Sequence, residues 1–210
     1  MTGPATQETG WRGSPELWLE AAHALLVETG VDSVTIQALS RRLKLARTSF
    51  YWHFADRQAL LTALADRWAS RTTAGLIAGC TAFAETEAEA MLNVIGCFLR
   101  DSAFDSRLEF AIRSWALHDP AIMARLHSED VVRIDTLTAM FRKWGHADVD
   151  AETRARTVYL TQIGYISMQV TEDLATRMAR IPAYVQIYTG QEPQPRELAR
   201  FYAQQGYAPD

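Results

Sequence analysis

The chain has 210 residues, 48% of them hydrophobic and 22% charged, which is a globular composition and excludes general disorder. A chain of this length buries roughly 70% of its unfolded surface, so folding requires neither disulfides nor a metal. The net charge of −4 excludes a surface coated all over with nucleic-acid-binding cations. No stretch of about 18 uncharged apolar residues suggests a membrane span. Met1 to Gly10 has neither a basic start nor an apolar core, which argues against a secretory signal. Cys80 and Cys97 both lie in apolar stretches, which fits a reducing cytoplasm and supplies no zinc framework.

Apolar residues recur at helical spacing throughout, and no sustained alternation of period two is present, so the expected class is all-α. Residues 1–13 read as a mobile N-terminal arm. Ser14-Pro15 is a cap followed by proline at the first helical position, and Gly30 is a suitable stop for the helix between them. Thr35 caps a second, short helix carrying Ile36, Leu39 and Leu43. A turn at Lys44-Leu45 leads into a third through Phe50 and Phe54. Asp56 caps a fourth, with Leu60, Leu61, Leu64 and Trp68 facing inward. Longer helices are expected at 84–103, 106–117, 119–145 and from Asp150 to about Asp173. Asp119-Pro120 repeats the cap-plus-proline start, and Gly145 serves as a stop. After Pro182 only a short helix at Arg196 to Gln205 is suggested.

Charge is unevenly spread. Residues 35–57 hold Arg41, Arg42, Lys44, Arg47 and Arg57 against Asp56 alone, so this segment carries +4 and the remainder −8. A basic island in an acidic chain is the footprint of a local phosphate-binding face. The same residues read as two short helices joined by a tight turn, a helix-turn-helix whose second helix fits a major groove. With Leu45 and Phe50 inward, Arg47, Thr48, Ser49 and Trp52 face outward. Arginine can pair with guanine at two points, and Thr or Ser with base edges or phosphates. Lys44, Tyr51, His53 and Arg57 flank that face and suit phosphate oxygens.

The run from Leu45 to Arg57, reading Leu-Ala-Arg-Thr-Ser-Phe-Tyr-Trp-His-Phe-Ala-Asp-Arg, with Leu60-Leu61 after it, closely resembles the signature of the TetR family of bacterial transcription regulators. Tyr51, His53 and Phe54 match the motif that ends the family's recognition helix, and Arg57 matches the basic residue that opens the next one. Thr35 stands in the place of the family's phosphate-contacting cap. The resemblance covers residues 14 to 68. It departs at Lys44, where Gly or Asn is frequent, and at Ala46, where Ser or Thr often caps the recognition helix. It implies a helix-turn-helix DNA-binding domain at 14–60 and a larger helical effector-binding and dimerisation domain at 61–210.

In such a domain the aromatic residues Phe98, Phe110, Trp115, Phe141 and Tyr165 are candidates to line an effector pocket, with Arg113 and Gln162 to orient the ligand. Ordinary core packing is the alternative for each. The last long helix has one seam with Tyr159, Ile163, Ile166 and Val170, and a small-residue face with Thr157, Gly164, Ser167 and Thr171. The resemblance implies a dimer interface built from two C-terminal helices, here 119–145 and 151–172, with Tyr159, Ile163, Gly164 and Ser167 in it. The expected partners are a palindromic double-stranded DNA operator, a small apolar or aromatic effector, and a second copy of the chain. No catalytic residue, cofactor or metal is expected. The rival readings are an all-helical enzyme and an interaction module that does not regulate transcription. Against an enzyme, Glu20-Ala-Ala-His23 is the sole Glu-x-x-His pair, and there is no His-Glu-x-x-His, phosphate loop or Gly-x-Ser-x-Gly.

Overall fold

The computed structural model describes residues 13–208. The expected arm at 1–13 therefore lies outside the described residues, Gly13 excepted. By internal contacts the chain divides into two units, one ending at Asp66 and one beginning at Arg67. The expected boundary at 60/61 falls later because Leu60, Leu61 and Leu64, all buried, belong with the first unit.

In the first unit, α1 (Pro15–Thr29) starts where the Ser14 hydroxyl accepts from the Leu17 N–H, and it ends at Gly30 with φ +86°. A 3-10 turn at Val31–Ser33 leads to α2 (Ile36–Leu43), whose first turn is capped by Thr35 Oγ1 accepting from Ala38 N–H at 3.1 Å. Lys44 takes the left-handed conformation, φ 56° and ψ 38°, at a cost of order 1 kcal/mol for a residue with a Cβ. The short α3 (Arg47–Phe50) follows with no side-chain cap from Ala46. Such a helix is too short to persist alone. Burial holds it: Phe50 packs edge-on against Trp18 at 5.3 Å and tilted against Phe54 at 5.6 Å, all three buried. Asp56 Oδ1 then accepts from Ala59 N–H at 2.8 Å as α4 (Arg57–Thr81) begins.

The second unit holds the rest of α4, then α5 (Glu87–Phe98), α6 (Ser106–Ala116), α7 (Pro120–Lys143), α8 (Asp148–Ser167), α9 (Leu174–Thr189) and α10 (Pro195–Gln204). Helix α7 packs on α6 and α8, and α5 packs on α9 and α10. All assigned elements among the described residues are helices, and none is long and apolar enough to cross a membrane. Thr86 caps α5, so that helix is shorter than the expected 84–103. Helix α8 ends six residues before the expected 173, with Gln169 left-handed at φ 50°.

Helix α9 spans the stretch around Pro182 where the sequence suggested no helix before Arg196. It runs through that proline, because Met178, Ile181, Val185 and Tyr188 bury one continuous stripe. Gly75 of α4 permits a close approach: a Cβ there would lie 2.4 Å from the Ala103 carbonyl oxygen. Cys80 and Cys97 are free and buried, and burial pushes their thiols up to about 12 and about 11.

An ionic cluster sits in this core. Glu109 of α6 and Arg133 of α7 are both fully buried, with Arg133 Nη1 donating to Glu109 Oε1 at 3.1 Å. Trp68 Nε1 donates to the other carboxylate oxygen at 2.7 Å, and Arg133 Nε donates to Thr73 Oγ1 at 3.1 Å. Arg113 bridges Glu109 and Asp130 at 2.9 and 2.6 Å, and the Tyr159 hydroxyl donates to Asp130 at 2.6 Å. Truncating one member strands an opposite charge without solvent. Glu109→Ala should lower unfolding stability by about 3–5 kcal/mol. Glu109→Leu combined with Arg133→Met should cost less than Glu109→Ala alone. Urea titration followed by circular dichroism measures both.

Candidate nucleic-acid interface and ligand cavity

Phe50 is the pin that orients the α3 segment. With its ring buried, Arg47 and Thr48 project to solvent, and Tyr51 and Trp52 stand 59% and 64% exposed. Thr35, Arg41 and Lys44 are also exposed, and His53 is half-buried. Among the described residues Arg41, Lys44 and Arg47 have no carboxylate within ion-pair distance. Arg42, by contrast, is held bidentately by Glu28 at 2.7 and 2.8 Å, which raises its pKa further, chiefly through that hydrogen bond. The result is a cationic, aromatic-bearing face on a rigid support.

Two expected members of this face turn inward. Ser49 is buried beside Phe50, because a four-residue helix has one inward stripe and Ser49 shares it. Arg57 donates from Nε to the Val34 carbonyl at 2.6 Å and from Nη2 to the Val31 carbonyl at 2.7 Å. It ties the start of α4 to the loop ahead of α2, so its guanidinium is occupied internally. Of the five cations counted in the sequence, three remain to meet an anion.

In the second unit a cavity of about 60 Å³ lies between α5, α8 and α9. Water needs roughly 10–15 Å³ by this measure, so the space holds a handful of waters or a small molecule. Of the expected pocket residues, Phe98, Gln162 and Tyr165 line it. Phe110, Arg113, Trp115 and Phe141 do not. Arg113 is engaged in the ionic cluster, Trp115 Nε1 donates to Asp119 at 3.2 Å, Phe141 is fully buried core, and Phe110 packs at the core's edge. The sequence reading missed Arg177, Arg180, Tyr184 and Tyr188, which form the α9 wall. The stripe of α9 was the available signal, and Pro182 obscured it. The Tyr165 and Tyr184 hydroxyls share a hydrogen bond of 2.8 Å; that bond first, and burial second, pushes the Tyr184 phenol up to about 12.

Of the expected interface residues, Ser167 is exposed, Ile163 and Gly164 are half-buried, and a Cβ on Gly164 would meet nothing within 4 Å. Tyr159 is 1% exposed, with its hydroxyl in the ionic cluster, so it belongs to the core rather than to an outer face. Val131 and Val132 on α7, Leu160 on α8 and Met168 at its C-cap are exposed hydrophobics that the sequence reading did not single out.

Residues 19–64 match the family model for bacterial regulatory proteins, tetR family. The likeness in sequence to the tetR family thus lies in the first unit. The tetracycline repressor protein class A from transposon 1721 of Escherichia coli is 44% identical over 52 residues, which are 25% of this chain and 24% of that protein. The chain thus matches about a quarter of the length of such curated relatives. Two solved structures extend the likeness of fold. Salmonella enterica GusR has a TM-score of 0.63 at 18% identity, covering 90% of this chain and 93% of that one. The fatty acid degradation regulator FadR from Bacillus halodurans has a TM-score of 0.64 at 13% identity, covering 88% and 97%. The motif residues lie inside the matched tetR-family segment, whereas the cavity lies outside it.

Arg57 provides a test of the inward assignment. Arg57→Ala should destabilise the protein by about 2 kcal/mol, because two carbonyls lose charge-assisted partners. A loss of DNA affinity at unchanged thermal stability would refute it.

Proposed function

We propose that the chain is a cytoplasmic, dimeric repressor that binds a palindromic DNA operator and leaves it when a small effector occupies the second unit. The observation that carries the reading is the face made by Arg47, Thr48, Tyr51 and Trp52, with Arg41 and Lys44 beside it, mounted on the buried Phe50. A short helix presenting an arginine and a threonine suits base edges of a major groove, and the flanking cations and Thr35 suit phosphates. His53 is at the margin of this face. Ser49 and Arg57 support the helix from beneath.

One such motif offers few base contacts, so specificity calls for two copies on half-sites about one helical turn apart. The exposed side chains of α7 and α8, with Gly164 allowing close approach, are the proposed surface for the second copy. Ile163 and Ser167 belong to that surface. Helix α4 is the proposed route from effector to DNA, since residues 57–66 belong to the first unit and 67–81 to the second. A coupling of about 1–3 kcal/mol would lower DNA affinity roughly 5- to 150-fold.

Footprinting on the DNA flanking the protein's own gene tests the reading directly. Arg47→Ala should weaken binding to the footprinted site by ~1–3 kcal/mol while sparing non-specific binding. Lys44→Ala should weaken all sequences alike and lower the salt slope by about one unit. Unchanged specific affinity in Arg47→Ala would move the register of the recognition helix.

For assembly, Gly164→Arg should convert dimers to monomers in light scattering and weaken operator binding. A variant that stays dimeric would place the interface on another face.

A further inference from the structure

We infer that the cavity between α5, α8 and α9 takes a small carboxylic acid with an apolar body, its carboxylate held by Arg177. The inference rests on the reading of the second unit as effector-sensing and names the class of effector. Its apolar wall is Ile95, Phe98 and Leu99 from α5, with Val158 and Ile181 opposite. Its polar end is cationic: Arg177 and Arg180 line it against Glu172 alone. Glu172 is already ion-paired with Arg180. Asp173, the next acid along the chain, accepts from the Thr176 N–H and hydroxyl at 2.7 and 3.1 Å. Arg177 is left half-buried over the Tyr165 ring, 5.9 Å from its centroid, with no carboxylate partner among the described residues.

A half-buried cation without a counterion is costly to hold, and an anion entering the cavity offsets that cost. The fork of a guanidinium matches the two oxygens of a carboxylate, and its position over the Tyr165 ring keeps it at the cavity wall. A second group points the same way. Gln162 is 8% exposed, lines the cavity and makes no side-chain hydrogen bond among the described residues. Its amide can both donate to a carboxylate oxygen and accept from a ligand hydroxyl. The small volume and single unmatched cation favour a monoanion over a phosphate dianion.

Calorimetric titration of the full chain with benzoate and with its neutral isostere benzamide tests this, with hexanoate and hexanamide as a slimmer pair. The acid of at least one pair should bind roughly tenfold or more tightly than its amide. Arg177→Gln should erase that preference while leaving amide affinity unchanged. Gln162→Leu should weaken the acid several-fold and keep the preference. Equal binding of acid and amide, no binding of either acid, or a preference that survives Arg177→Gln would overturn the inference. Melting curves of both variants report whether the fold is retained. An acid that binds through Arg177 but leaves DNA affinity unchanged supports this inference and counts against the regulatory reading.

Discussion

The buried pair of Glu109 and Arg133 fixes how α6 and α7 meet in the second unit. Two guanidinium groups, Arg113 and Arg133, face two carboxylates, Glu109 and Asp130, so the cluster is neutral as a whole. Burial pushes the Tyr159 phenol well above its ordinary range, which keeps the hydroxyl neutral and able to donate to Asp130. Arg133 also lies over the Trp68 and Phe104 rings, at 5.0 and 5.6 Å, while its Nη2 finds no partner. Such a cluster adds little net stability compared with apolar residues of the same volume. Its effect is on register. A slide of α7 against α6 by one turn would separate charges that have no water to replace their partners, so one alignment is strongly preferred.

The first unit solves a different problem by similar means. A four-residue helix cannot hold its own shape, yet the proposed groove contact calls for a fixed one. Trp18 and Phe54 clamp Phe50 from two sides, and Arg57 ties the loop before α2 to the start of α4. The left-handed Lys44 is a local cost that this packing covers. The outward side chains therefore ride on a base set by burial rather than by helix propensity.

The helix boundaries marked by caps were the most legible part of the sequence. Ser14-Pro15, Thr35 and Asp119-Pro120 all open helices, because a cap and a proline act within one turn of chain. The aromatic run around Phe50 marked the short helix with its exposed cationic face for the same local reason. What the sequence concealed depends on distant partners. Arg57 and Arg47 look alike as charges, and only the folded chain brings the Val31 and Val34 carbonyls to one of them. Glu109 and Arg133 are spaced like surface residues, and their pairing spans 24 positions. Pro182 reads as a break, but a buried stripe on both sides of it outweighs one lost backbone hydrogen bond. The cavity was only partly legible for this reason: with α9 unread, the wall opposite Phe98 was missing.

Helix α8 joins these themes. Its 3.6-residue period directs Tyr159 to the ionic cluster, Val158, Gln162 and Tyr165 to the cavity, and Leu160 and Ser167 outward. Three faces of one rigid rod cannot move independently. The cluster holds the rod in one register, so a ligand pressing on the cavity face works against that restraint rather than against a loose side chain. In the proposed switch, a small shift of the rod would displace the outward face by a comparable amount. Close-packed interiors transmit such displacements instead of absorbing them. A ligand can shift the helix only to the extent that it binds one position better than the other. For the proposed switch to operate, the cavity must differ between two positions of α8, and the side chains best placed to report that difference are the cavity-lining residues of α8 itself, Gln162 and Tyr165.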